Sequence, residues 1–338
     1  MCNFSVSRIA HVLPFIDVLQ DVGSPVYREL QRWSLPTLMA EQPDRYIPEL
    51  PVIQCLRSIE LHEGIPDLGF LAFQRWSLSS LDAESLAQVR QPPTLFSRLQ
   101  RFAGLCQLEN PDLELHVLPE GSNTRIAFDL RQPHIDGVQY SHWLQIAALI
   151  GLTRDTAGPD WQPTEVTMSA RYTPGREAQS AFPLSRLLTG HRHTSILVPT
   201  SLMSRACRTS APQHSAKSDH SCDDKLSTMH DSDIAVRLRL TLPVYLGDGY
   251  PQICLAAMIT GTSVRTLQRE LSRLGTSYSE LVQQVRFEEA VELLADPAEK
   301  IIDIGLALGY EDASHFARAF RRTSGVSPRQ YRQQHFLH

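Results

Sequence analysis

The stretch Ser263-Val-Arg-Thr-Leu-Gln-Arg-Glu-Leu271, matched 49 residues later by Asp312-Ala-Ser-His-Phe-Ala-Arg-Ala-Phe320, decides the fold of this chain. Each stretch follows a short helix of small residues and a glycine turn, Thr260-Gly261-Thr262 in the first and Gly309-Tyr310 in the second. Tight turns between helices need a positive φ, which glycine adopts without strain. The build is that of a helix-turn-helix, the unit that lays its second helix in the DNA major groove. The two units are expected at about 251–274 and 301–322. One match alone is weak evidence, because an arginine-bearing amphipathic helix is usually a solvated face. Two in tandem, with a helix between them, are strong.

Within the first unit, Leu267, Leu271 and Leu274 recur at helical spacing and are expected to form a buried stripe. Arg265, Gln268, Arg269 and Arg273 fall on other faces and are free to project outward. Arginine donates two hydrogen bonds to the acceptor edge of guanine, and glutamine pairs in a bidentate way with adenine. In the second unit Phe316 and Phe320 pack inward, leaving Ser314, His315 and Arg318 for base edges. Arg273, Arg321 and Arg322 are assigned to phosphates.

Ser277 to Ala295 reads as a helix opened by a capping box of Ser277 and Glu280 and closed at Asp296-Pro297. Roughly 18 residues at about 1.5 Å each span about 27 Å. That is close to the spacing of roughly 34 Å between successive major-groove faces, so one chain is expected to touch two adjacent grooves. The last helix opens at Ser327-Pro328-Arg329-Gln330, serine as cap and proline at the first helical position. From Ile234 onward there are 12 basic and 11 acidic residues, so DNA affinity must come from local clustering of arginine. Glu288, Glu289 and Glu292 are then expected to lie away from the phosphates.

The last hundred residues resemble the AraC/XylS family of bacterial transcription regulators. The resemblance rests on Ile304-Gly-Leu-Ala-Leu-Gly-Tyr310, Phe316-Ala-Arg-Ala-Phe-Arg-Arg322 and the closing Gly325-Val-Ser-Pro-Arg-Gln-Tyr-Arg332, beside the first unit's helix. It implies a base-reading face at Arg265, Gln268, Arg269, Ser314, His315 and Arg318. Gly305 departs from the pattern, standing where the family usually has alanine. Leu68-Gly-Phe-Leu-Ala72 and Pro93 to Phe102 are similar to the so-called arabinose-binding type of N-terminal domain, found in ornithine-responsive and virulence-associated members. That name is not a ligand assignment. In the family this half senses an effector and mediates dimerisation, so the resemblance implies a homodimer and a small-molecule effector of unknown identity.

At 338 residues the chain has room for two domains, with 42% hydrophobic and 20% charged residues, ordinary for a soluble protein. The expected organisation is a sensing and dimerisation domain over 1–209, a flexible linker over 210–233 and a DNA-binding domain over 234–338. The linker holds His214, His220, Cys222 and His230 at a spacing that fits no standard metal site, so no metal and no cofactor are expected. The longest apolar run of the chain, Ile146 to Leu152 with its flanks, is too short to span a membrane and no export signal is evident, which points to a cytoplasmic, nucleoid-associated protein. Six scattered cysteines read as reduced thiols.

The fold class is therefore mixed: an N-terminal α/β domain with an antiparallel sheet, and an all-α C-terminal domain. Helices are expected over 26–30, 52–62, 93–106 and 140–152. A hairpin is expected from Leu113 to Leu130 around Glu120-Gly-Ser-Asn123, and a strand over 163–170. Trp33, Trp76, Trp143 and Trp161 read first as core residues and second as walls of an effector pocket. No nucleophile elbow, phosphate loop or zinc-like cysteine set supports an enzyme. The expected partners are double-stranded promoter DNA, a second copy, an effector, and RNA polymerase if the protein activates. A module that no longer binds DNA is the alternative that the retained arginines argue against.

Overall fold

The computed structural model describes residues 4–37, 39–65, 67–109, 113–130, 136–207 and 234–336. The expected linker over 210–233, with its histidines and Cys222, lies outside the described residues. Contacts divide the rest into two compact units. One holds most of the N-terminal half. The other holds residues 234–336 together with residues 4–6 and Arg45–Leu50.

The chain opens with β1 (Val6–Arg8), α1 (Leu13–Asp21) and α2 (Val26–Arg32), and β1 pairs with β2 (Tyr46–Pro48) in a two-stranded sheet. Helices α3 (Glu49–Glu63), α4 (Leu68–Arg75), α5 (Ala83–Arg90) and α6 (Leu95–Glu109) follow. The hairpin β3 (Leu113–Glu120) and β4 (Asn123–Leu130) turns at Gly121, whose φ is +65°. Then come α7 (Gln139–Ala157), β5 (Glu165–Thr167), α8 (Arg176–Ala181), β6 (Arg186–Leu188) and β7 (Thr194–Pro199).

The main sheet has the order β3-β4-β7-β5-β6. All its pairs are antiparallel except β5 with β6, which is parallel, so the expected antiparallel sheet carries one parallel edge. The alternation of β4 sorts its side chains: Ile126 and Phe128 are buried among the helices' apolar residues, while Arg125 points to the other face. There Arg125 donates to Glu165 at 2.9 Å, Ser195 at 3.0 Å and Glu120 at 2.6 Å. The strand expected over 163–170 shrinks to Glu165–Thr167, because only these residues pair with β6, and Val166 and Thr167 also with β7.

Trp143 of α7 is wholly buried, stacked on Phe182 at 6.2 Å and met edge-on by Phe70 at 5.0 Å. Gly69 allows this approach, since a Cβ there would lie 2.7 Å from the tryptophan ring. The Leu68-Gly-Phe motif thus marks the crossing of α4 and α7. Arg98 of α6 is also wholly buried, paired with Asp155 at 3.2 Å and donating to the carbonyls of Arg90 and Pro92.

The second unit continues with α9 (Ile234–Thr241), a 3-10 stretch (Leu242–Asp248), α10 (Ile253–Ile259) and α11 (Val264–Arg273). It closes with α12 (Tyr278–Leu294), α13 (Ile301–Ala307), α14 (Ala313–Ser324) and α15 (Pro328–His335).

Candidate nucleic-acid interface

Local chemistry fixes where both outward-facing helices begin. Ser263 caps α11, its side chain accepting from the Thr266 N–H at 3.1 Å. Asp312 caps α14 in the same way, accepting from the His315 N–H at 2.8 Å. Such caps satisfy donors that the first turn leaves without partners. The two caps are 49 residues apart, and counted from them Leu267 coincides with Phe316, Leu271 with Phe320, Arg269 with Arg318 and Arg273 with Arg322. Leu267 and Leu271 of α11, and Phe316 and Phe320 of α14, are buried. Opposite them, Arg265, Gln268, Arg269 and Arg273 are exposed on α11, and Ser314, His315, Arg318, Arg321 and Arg322 on α14. The structure brings each set together on one helix face. Leu274 corrects the expected stripe: it is 36% exposed, because it forms the C-cap after α11 has ended.

The electrostatics differ between the two faces. On α11, Glu270 lies 3.7 Å from Arg269 and 3.2 Å from Arg273. Exposed pairs of this kind contribute little and yield readily to a phosphate. Among the described residues no carboxylate forms an ion pair with Arg265, Arg318, Arg321 or Arg322. The His315 ring lies 3.7 Å from the Asp312 carboxylate. Hydrogen bonding from the His315 N–H, the largest favourable influence, holds the Asp312 carboxyl below its ordinary range. Neither Glu270 nor Asp312 figured in the sequence reading of the interface, and the capping position of Asp312 before Ser314 was the available signal.

Helix α12 separates the two units as one uninterrupted element of 17 residues. Its acidic residues are occupied: Glu288 pairs with Arg239, and Glu289 takes a bidentate contact from Arg45 at 2.5 and 2.7 Å. The apolar residues Tyr278, Leu281, Val282, Val285, Ala290 and Leu294 of α12 are buried. Leu293 is only half-buried, and Arg286, which the pattern of apolar residues could not flag, is buried instead.

The turns are set by close approach. Gly309 has φ +72°, and a Cβ there would lie 2.3 Å from the Leu246 carbonyl oxygen. Gly305 faces the Phe316 Cβ at 3.2 Å from where its own Cβ would stand. The departure at Gly305 therefore reflects tight packing of α13 on α14.

In the N-terminal half the four tryptophans do not form one pocket. Trp76 and Trp143 belong to the main core, with Trp161 packed against it, and Trp33 is no member of that cluster. A cavity of about 240 Å³, including its mouth, is lined instead by apolar residues such as Leu19, Leu30, Val52 and Ile59, with no tryptophan. Cys55 also lines it, and burial pushes that thiol up to about 12. Cys55, Cys207 and Cys254 are free thiols. Among the described residues no group of three or more His, Cys, Asp or Glu is placed to hold a metal ion, and no helix is long and apolar enough to cross a membrane.

Comparison with known proteins gives two family matches. A helix-turn-helix domain matches residues 256–334, and the arabinose-binding domain of AraC transcription regulators matches residues 23–207. The ornithine utilization regulator of Pseudomonas aeruginosa is 32% identical over 137 residues, 40% of this chain and 40% of its own. The regulator VirS of Mycobacterium tuberculosis is 24% identical over 336 residues, 97% of this chain and 96% of its own. Among solved structures, the transcriptional regulator CdpR from Pseudomonas aeruginosa is 22% identical, covering 91% of this chain and 97% of its own with a TM-score of 0.39.

Proposed function

Because the chain belongs to the AraC family of DNA-binding transcription regulators, with an N-terminal domain of the arabinose-binding type, we propose that each chain reads two adjacent major-groove segments of promoter DNA. Arg265, Gln268 and Arg269 read base edges in one segment, and Ser314, His315 and Arg318 in the other. Arg273, Arg321 and Arg322 neutralise phosphates and set the register. The observation that carries this reading is the matched pair of exposed arginine-bearing faces, each behind a capped helix start, on either side of one continuous helix. Seventeen residues at about 1.5 Å give that helix a length of about 26 Å, within reach of the groove repeat of roughly 34 Å once the flanking units are added.

The proposed division of labour assigns effector sensing and dimerisation to residues 1–209, linkage to 210–233 and DNA binding to 234–338. A small molecule bound by the first part biases how the two DNA-binding parts of a homodimer are placed. It does so only by its differential affinity for the two arrangements. Recruitment of RNA polymerase follows if the protein activates. Action on promoter DNA places it in the cytoplasm, at the nucleoid.

Binding-site selection tests the assignment. Arg269→Ala and Arg318→Ala are each expected to lose about 1–3 kcal/mol and to relax preference at one base pair, in different segments. Wild-type affinity and wild-type preference in both variants would refute it.

A further inference from the structure

Helix α12 holds both helix-turn-helix units through buried side chains that reach backbone carbonyls. Tyr278, its first residue, donates its hydroxyl to the Pro251 carbonyl at 2.8 Å, just ahead of α10. Eight residues on, Arg286 donates from Nη2 to the Gly309 carbonyl at 2.9 Å, in the turn between α13 and α14. The two anchors therefore sit about 12 Å apart along the helix.

The second anchor is unusual in its chemistry. Arg286 is 7% exposed, and its guanidinium carbon lies 4.4 Å from the Tyr310 ring centroid and 5.1 Å from that of Tyr250. Among the described residues no carboxylate pairs with it, and its Nε has no hydrogen-bond partner. Burying a cation this way is costly, and an apolar side chain of similar volume would fill the space without that cost. What arginine adds is direction: a hydrogen bond to one carbonyl from a guanidinium that also lies over two tyrosine rings. The turn it grips has no slack, since a Cβ at Gly309 would strike backbone oxygens of Leu246 at 2.3 Å and Gly249 at 2.6 Å. Three residues after Gly309 stands Asp312, the cap that starts α14.

We propose that Arg286 is a positioning residue that locks the second DNA-reading helix in register on α12 and thereby sets the spacing at which the two DNA segments are read. This rests on the two-segment reading above. Arg286 acts through the Gly309 turn and needs no contact with DNA.

The test uses the full chain and the duplex recovered by binding-site selection with the wild-type protein. Wild type, Arg286→Met and Arg286→Lys are titrated on that duplex and on versions with one base pair inserted or removed between the two segments. Wild type is expected to lose about tenfold or more per displacement, because each base pair turns the second segment by about a tenth of a helical turn. Both variants are expected to bind the original duplex more weakly yet lose less than about threefold on displacement. Lysine keeps the charge but lacks the planar fork and the stacking surface. A uniform loss on every duplex with the wild-type spacing penalty intact, or no change at all, overturns the proposal. A wild-type protein indifferent both to spacing and to the sequence of the second segment removes the two-segment reading and this inference together. If thermal melting shows that Arg286→Met does not fold, Arg286→Lys and Tyr310→Leu decide the outcome on the same duplexes.

Discussion

At Asp67 the backbone takes φ +56°, in the left-handed region that few residues other than glycine, asparagine and aspartate enter. Its carboxylate accepts from the Gly175 N–H at 2.7 Å. Burial nevertheless dominates and raises its pKa, with the nearby Glu60 adding to the effect. Glu60 is itself engaged, accepting from the Tyr140 hydroxyl at 2.5 Å and the Leu68 N–H at 3.0 Å. A folded-state pKa above the unfolded one gives a contribution to stability that is full below about pH 3.9 and is lost as pH rises through the elevated value. At neutral pH the ionised side chain is therefore a net cost. Asparagine tolerates the same backbone, offers the same acceptor to Gly175 and carries no charge. Asp67→Asn is expected to raise the melting temperature at neutral pH, with an advantage that shrinks toward about pH 4. A melting difference that stays constant across that range would contradict this account.

The helix α12 shows how an element can be written almost entirely in local signals. Ser277 accepts from the Glu280 N–H at 3.3 Å, and Glu280 returns a contact to the Ser277 N–H at 2.7 Å. This reciprocal cap was readable because its residues stand three apart just before an apolar run. Ser277→Ala is expected to lower the stability of the DNA-binding unit by about 1 kcal/mol, seen as a lower midpoint in thermal unfolding followed by circular dichroism. An unchanged midpoint would mean that packing alone sets where the helix begins. The caps at Ser263, Asp312 and Ser327 were open to the same reasoning, which is why the C-terminal elements could be placed closely. Arg286 was not legible, since a buried arginine looks in sequence like any solvated one until the Gly309 turn arrives from 23 residues away. Strand β5 failed for the related reason that its length is set by neighbours across the sheet, β6 and β7, rather than by its own alternation. The exposed arginine faces followed from the 3.6-residue period, which also made the candidate interface the most readable part of the molecule.

On the scale of the whole molecule, the unit bearing the arginine faces draws on chain from far upstream. Arg237 of α9 is buried and donates to the Phe4 carbonyl at 2.5 Å, while the Glu49 N–H donates to the Ser5 carbonyl at 2.9 Å. Ile47 is wholly buried, and the Arg45 guanidinium spans both carboxylate oxygens of Glu289. No local pattern announces the longest of these contacts, because Arg45 and Glu289 stand 244 residues apart, Phe4 and Arg237 stand 233 apart, and nothing in either segment's periodicity refers to the other. The Arg45–Glu289 pair is part-exposed on the arginine side and nearly buried on the glutamate side, so its worth lies between that of a surface pair and that of a buried one. Arg45→Ala is expected to cost about 1–2 kcal/mol through loss of the bidentate contact to Glu289 and of the packing of the arginine stem. The loss should be confined to one unit, and the chain offers a means of seeing this. All four tryptophans, Trp33, Trp76, Trp143 and Trp161, lie in the other unit. The circular dichroism transition of the Arg45→Ala variant should therefore move to lower temperature while the tryptophan fluorescence transition stays at its wild-type position. If both transitions moved together, Arg45 would be acting on the stability of the N-terminal unit as well, and the assignment of residues 45–50 to the DNA-binding unit would fall.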